Sequence, residues 1–192
     1  LNADHQIIAT LGELLSVDTI AGAMAHPLIQ GLFRKIQTEE IVPHVAAVPG
    51  MTPLDYFDLI NSRFTNPEIR DTTRRVAFDG SSRHAGFLHP IIRDALAGNA
   101  PLDGLVLVEA LWARMCHGTR EDGSIISPND PFWDGLNAAA KTDKDTPQAW
   151  IDQKQFYGTL GQNARFADSF KRWLDLIWSD GTEAALRDYL KS

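Results

Sequence analysis

Residues Leu102–Gly118 read LDGLVLVEALWARMCHG, the most hydrophobic stretch of the chain, and Asp103 and Gly118 bracket it as a helix start and a helix stop. Further along, Phe166–Trp178 reads FADSFKRWLDLIW, with Phe166, Phe170, Trp173, Leu174, Ile177 and Trp178 recurring at the i, i+4, i+7, i+8 spacing of a packed helix. The two stretches share a period near 3.6 and not 2. Alternating strand patterns are nearly absent elsewhere, so the fold is predicted to be all-α, a multi-helical domain over residues 1–192.

Working outward, Ile7, Ile8, Leu11, Leu14 and Leu15 mark an apolar first helix. Pro27 opens a second at its first turn. Residues 41–53 carry three prolines and a glycine and read as an ordered connector. Thr52-Pro53-Leu54-Asp55 is a helix start, with Thr52 as cap and Pro53 as the first helical residue. A helix is expected from about Pro67 through Phe78, stopping at Asp79-Gly80. Another is capped by Ser81 or Ser82 and ends near Gly98. Residues 119–131 form a loop, weaker helices cover about 132–141 and 147–156, and a short helix ends at Leu190.

Composition narrows the function classes. The formal net charge of −7 and pI near 5.3 argue against nucleic acid as a partner. Cys116 is the single cysteine, which rules out an internal disulfide framework and fits a reducing, cytoplasmic setting. No apolar run approaches the roughly 20 residues of a membrane span. The chain opens on Leu1 two residues before a helical pattern is under way, and reads as a domain excised from a longer protein.

Against this acidic background, Arg63–Arg93 holds six arginines and three acids, Glu68, Asp71 and Asp79. A cationic island on an acidic chain has something to hold. Arg75 and Arg83 flank the Asp79-Gly80 turn, where forked donors orient polar substrate groups or else pair with Asp71, Asp79 or Asp94. Asp79-Gly80 reads as a turn, with Gly80 at positive φ. Asn2 and His5 share a helix face at a first turn, suited to a carbonyl or alkoxide oxygen, or serve as N-cap and surface residue. Metal is not expected, because His84 and His89, five apart, do not share an α-helical face. His117 reads as a cation favoured by a helix C-terminus. Gly158-Thr159-Leu160-Gly161 lacks a preceding strand and is no dinucleotide fingerprint. Trp112, Trp150, Trp173 and Trp178 read as core.

Taken together these residues resemble the polyol-specific long-chain dehydrogenases, the family of mannitol 2-dehydrogenases and fructuronate and tagaturonate reductases. Leu1-Asn2-Ala3-Asp4-His5 is similar to the tail of that family's catalytic helix. Arg63-Phe64-Thr65-Asn66-Pro67 and Asp79-Gly80-Ser81-Ser82-Arg83 are similar to two further motifs, and Ala110–Arg114 to a third. The resemblance implies a C-terminal substrate-binding domain that packs on an N-terminal Rossmann domain upstream. That upstream part would hold NAD and the general-base lysine, five positions before Asn2, and no catalytic metal is expected. It further implies Asn2 and His5 as catalytic residues, Arg75 and Arg83 as substrate-binding residues, and a monomer that interconverts a mannitol-like polyol and a fructose-like 2-ketose. Mannitol-type members often carry lysine in the Asp-Gly turn and Pro-Lys after it. Arg83 and His84-Ala85-Gly86 stand there here, and an arginine suits a carboxylate-bearing hexuronate as well as a polyol. A non-catalytic helical interaction module is the alternative outside enzymology.

Overall fold

The computed structural model describes residues 2–47 and 49–192, the side chain of Asn2 excepted. Helix α8 (Asp103–Cys116) runs through the centre, and every residue from Gly104 to Cys116 is buried. An all-apolar face is not required of it: it packs on all sides, against α12 (Ala164–Asp180), α9 (Trp133–Asp143) and α1 (Asn2–Leu14). Each buried Leu, Val or Met there contributes about 1.5–3 kcal/mol. Asn163 caps α12 by accepting from the Phe166 N–H at 3.2 Å.

Around this axis lie α2 (Ile20–Ala25), α3 (Pro27–Ile36) and α4 (Pro53–Phe64). The Thr52 hydroxyl and Asp55 carboxylate close a reciprocal capping box at the start of α4. After it come the single turns α5 (Thr73–Val76) and α6 (Gly80–Arg83), then α7 (His89–Ala97). The short α10 (Gln148–Ile151) and α11 (Lys154–Tyr157) and the terminal α13 (Thr182–Lys191) complete the order. Among the described residues there are isolated bridges, Thr19–Thr72 and Thr119–Ile125, but no strand. None of the described helices is long and apolar enough to cross a membrane.

Three local expectations change. The helix expected from Pro67 shrinks to α5, capped by Thr72, because residues 67–69 form a turn and a bend and residues 71–73 are tied to residues 18–20. Ile20 N–H donates to the Asp71 carbonyl and Thr73 N–H to the Asp18 carbonyl, both at 3.0 Å. Asp79, not Gly80, takes the left-handed backbone, at φ 62°. Gly80 is required instead for space: a Cβ there would lie 2.7 Å from Trp112 Nε1. Finally, neither Ser81 nor Ser82 caps α6. Asp130, across the fold, accepts from the Ser81 N–H and hydroxyl, both at 2.8 Å.

Candidate functional site

His5, in the first turns of α1, is half-buried where its helical neighbours are fully buried. Its ring lies 4.7 Å from that of Phe64 at the end of α4. Together with Ile20, Arg63, Ile69 and Asp71 these residues line a hollow of about 150 Å³. Burial pushes the imidazole below its usual range and Arg83 adds to this, while Asp4 and Asp71 oppose it. At pH 7 His5 is therefore neutral, with one nitrogen donating and the other accepting. Asp4, one residue earlier, turns the other way and is held by the Gln37 amide.

Asp71 links His5 to Arg75. Its carboxylate accepts from Arg75 Nε at 2.7 Å and again from Nη2, and those bonds hold its pKa down, with His5 adding to the effect. The Arg75 side chain is 73% exposed, so the pair is screened and its guanidinium keeps donors open to solvent. The Thr72 cap and the tie to residues 18–20 set Asp71 beside α1. Arg83 is half-buried and donates from Nη1 to the Val76 carbonyl at 3.2 Å. Neither Arg75 nor Arg83 lines the hollow itself. Arg75 reaches it through Asp71, and Arg83 through its field on His5. The expectation for Asn2 rests on a side chain outside the described residues.

The remaining arginines of the island divide. Arg74 is structural, donating to the carbonyls of Ser127 at 2.7 Å and Pro128 at 2.6 Å. Arg93 reaches the Tyr157 carbonyl at 3.3 Å. The Arg63 side chain makes no hydrogen bond or ion pair among the described residues, and Arg63 lines the hollow. Sequence analysis placed it in the charged island and in the Arg63–Pro67 motif without a role of its own, and took Asp71 only as a possible ion-pair partner.

Two other expectations are corrected. His84 and His89 do share a face, because residues His84–Leu88 form a π turn. An α-helix would separate them by about 140° at 3.6 residues per turn. A turn closed by i→i+5 bonds brings them together on Glu109 of α8, His84 Nδ1 at 2.8 Å from Oε1 and His89 Nε2 at 3.2 Å from Oε2. Pro90, lacking an N–H, follows directly and could not have bonded back in a continuous α-helix. His117 is not a favoured cation: burial lowers its pKa, and Arg114, Lys141 and Lys144 lower it further.

Among the described residues no group of three or more His, Cys, Asp or Glu is disposed to hold a metal ion. Gly158–Gly161 follows no strand among the described residues. It lies between α11 and a short 3-10 turn, and Gly161 is packed so that a Cβ would meet the Ile151 carbonyl at 2.1 Å. The tryptophans read as core are buried at 112, 150 and 173. Trp178 is half-buried and carries the Arg114 guanidinium 4.2 Å from its ring centroid.

Residues 1–178 match the family model described as the mannitol dehydrogenase C-terminal domain. Mannitol 2-dehydrogenase of Cereibacter sphaeroides is 46% identical over 190 residues, 99% of this chain and 40% of that protein. The mannitol 2-dehydrogenase of Phaeosphaeria nodorum is 29% identical over 190 residues, 98% of this chain and 33% of its own length. Among solved structures, Pseudomonas fluorescens mannitol 2-dehydrogenase in ternary complex with NAD and D-mannitol superposes with a TM-score of 0.94 at 27% identity, covering 100% of this chain and 39% of that one. A substrate-free D-sorbitol dehydrogenase, 23% identical with a TM-score of 0.86 over 97% of this chain and 38% of that one, shares the fold. The chain thus spans well under half the length of these relatives.

Proposed function

The chain belongs to the mannitol dehydrogenase C-terminal domain family, and from that premise we propose that it is the substrate-binding part of an NAD-dependent polyol 2-dehydrogenase. The reaction proposed is the interconversion of a mannitol-like polyol and a fructose-like 2-ketose. The observation that carries this reading is the hollow in which neutral His5 sits with Asp71, under the field of Arg83 and one ion pair from Arg75. A polyol offers only neutral hydroxyls, so it is oriented by several fixed donors and acceptors and not by one charge.

In this reading His5 holds the reacting oxygen through one ring nitrogen, and the amide of Asn2 shares it. Arg75 and Arg83 donate to the distal hydroxyls, and Asp71 keeps the Arg75 fork pointed. NAD, held by a part of the protein outside this chain, supplies the hydride acceptor. The proton leaving the hydroxyl goes to the lysine expected upstream.

The nucleotide-binding part is proposed to dock on the apolar face near the start of α1. A cleft of about 410 Å³ there is lined by Ala3, Val45, Tyr56, Phe57, Phe87 and Ile91 among others. Val45, Tyr56 and Phe87 are exposed although hydrophobic, as are Leu54, Leu59 and Phe78.

A hexuronate substrate is the second reading, favoured by Arg63 lining the hollow and by arginine at position 83. Steady-state kinetics of the full-length enzyme decide between them. Efficient NAD-linked turnover of mannitol and fructose supports the first reading, and a strong preference for fructuronate supports the second. Turnover of neither would refute both.

A further inference from the structure

Behind the site, and outside every role assigned above, lies a wholly buried polar cluster centred on Glu109. Its Oε1 takes His84 Nδ1, and its Oε2 takes both His89 Nε2 and the Tyr157 hydroxyl, the latter at 2.7 Å. The Trp150 indole N–H donates in turn to the Tyr157 oxygen at 2.7 Å. His89 Nδ1 faces the Phe156 carbonyl at 3.2 Å, so both of its nitrogens face acceptors. The cluster is then a buried carboxylate with one imidazole on each of its oxygens. Burial alone would raise the Glu109 pKa, but the two histidines outweigh it and hold the carboxyl ionised.

A buried ion pair is weak evidence of a stabilising role, since apolar residues of the same volume often serve as well or better. Its placement suggests another purpose. His84 is the residue after Arg83, and the π turn His84–Leu88 exists in the register that brings both histidines to Glu109. The other end of α6 is pinned by Asp130 on Ser81. Between these pins Trp112 closes against Gly80 and stacks on His84 at 4.2 Å. Arg83 thus sits on a four-residue turn whose two ends are each fixed by a buried carboxylate.

We propose that Glu109, with His84 and His89, is a positioning unit for Arg83: it locks the π turn behind that residue and so fixes where the guanidinium meets the substrate. This rests on the reading of Arg83 as a substrate contact. Without an anchor at either end, such a π turn could slip back to α-helical register. The shared carboxylate forbids the slip, because a rotation that kept one histidine on Glu109 would lose the other.

The test is a double-mutant cycle in the full-length enzyme. Arg83→Ala should raise the KM for the polyol about 10-fold or more with kcat changed far less, the pattern of lost binding. Glu109→Gln leaves the volume but removes the charge and turns an acceptor into a donor. It should raise the same KM by several-fold while leaving the KM for NAD unchanged. The double variant should be no worse than Arg83→Ala alone, because the two act through one contact. Multiplying effects, an equal rise in the KM for NAD, or an unchanged polyol KM in Glu109→Gln would overturn the positioning role. An unchanged KM in Arg83→Ala would instead remove the substrate role of Arg83, and the proposal with it. If Glu109→Gln does not fold, Tyr157→Phe carries the same cycle. It removes one bond to Oε2 at constant shape, with an expected rise of about 2–3-fold, and additivity there counts equally against the proposal.

Discussion

Gly80→Ala and Gly86→Ala are the same chemical change six residues apart, and the structure predicts opposite signs. At Gly80 an added Cβ would sit 2.7 Å from Trp112 Nε1 and 3.3 Å from Cε2, several tenths of an ångström inside van der Waals contact. Trp112 cannot yield, since His84 stacks on one side at 4.2 Å and Trp150 meets it edge-on at 4.9 Å. The backbone of Gly80 is not left-handed, so the cost is steric overpacking, about 1–3 kcal/mol. Nothing lies within 4 Å of a Cβ at Gly86, which is exposed inside the π turn. There alanine restricts the unfolded chain and should stabilise by up to about 1 kcal/mol. Denaturant titration of the two variants, with the slope checked against the parent, measures both values. Equal tolerance of the two substitutions, or a larger loss at Gly86, would refute the packing argument around Trp112.

Other predictions follow from buried carboxylates and from the site. Glu40 accepts from the Gly104 and Leu105 N–H groups and the Tyr189 hydroxyl, all at 2.8 Å, so it caps α8 and ties it to α13. Glu40→Ala strands three buried donors and should lower the unfolding free energy by roughly 3–5 kcal/mol; a loss under about 1 kcal/mol in a denaturant titration would contradict the cap. Burial pushes the Asp143 carboxyl up to about 7, with Arg114 opposing. Its folded pKa lies above the unfolded value of 3.8, so the stability linked to that proton is complete below 3.8 and lost as pH rises through about 7. Asp143→Asn lacks this loss, and its unfolding free energy should pull ahead of the parent's between pH 5 and pH 8, the gap growing by about 2–3 kcal/mol in denaturant titrations; a gap constant with pH would contradict the assignment.

What the sequence could and could not disclose divides by range. Thr52 and Asp55 declare the start of α4 because their hydrogen bonds close within one turn, and the apolar periodicity of α12 declares its buried face in the same way. The caps supplied from afar were invisible. Glu40 reaches α8 over 64 and 65 residues and Asp130 reaches Ser81 over 49, and no local pattern marks either acceptor. The π turn misled the helical-face argument for His84 and His89, since a face computed at 3.6 residues per turn fails where one residue is inserted into the turn. Pro90, one residue after His89, was the available signal. At the site, the Asn2–His5 spacing and the arginine island were legible as types of residue. That Asp71 stands between His5 and Arg75 was not, because the tie of residues 71–73 to residues 18–20 places it there.

The account depends on the imidazole of His5 touching the oxygen borne by the carbon that gives up or receives the hydride. In the full-length enzyme, NADH-linked reduction of fructose by His5→Ala should show kcat/KM lower by on the order of 100-fold, the scale of a lost oxyanion donor. Activity within a few-fold of the parent would contradict the account.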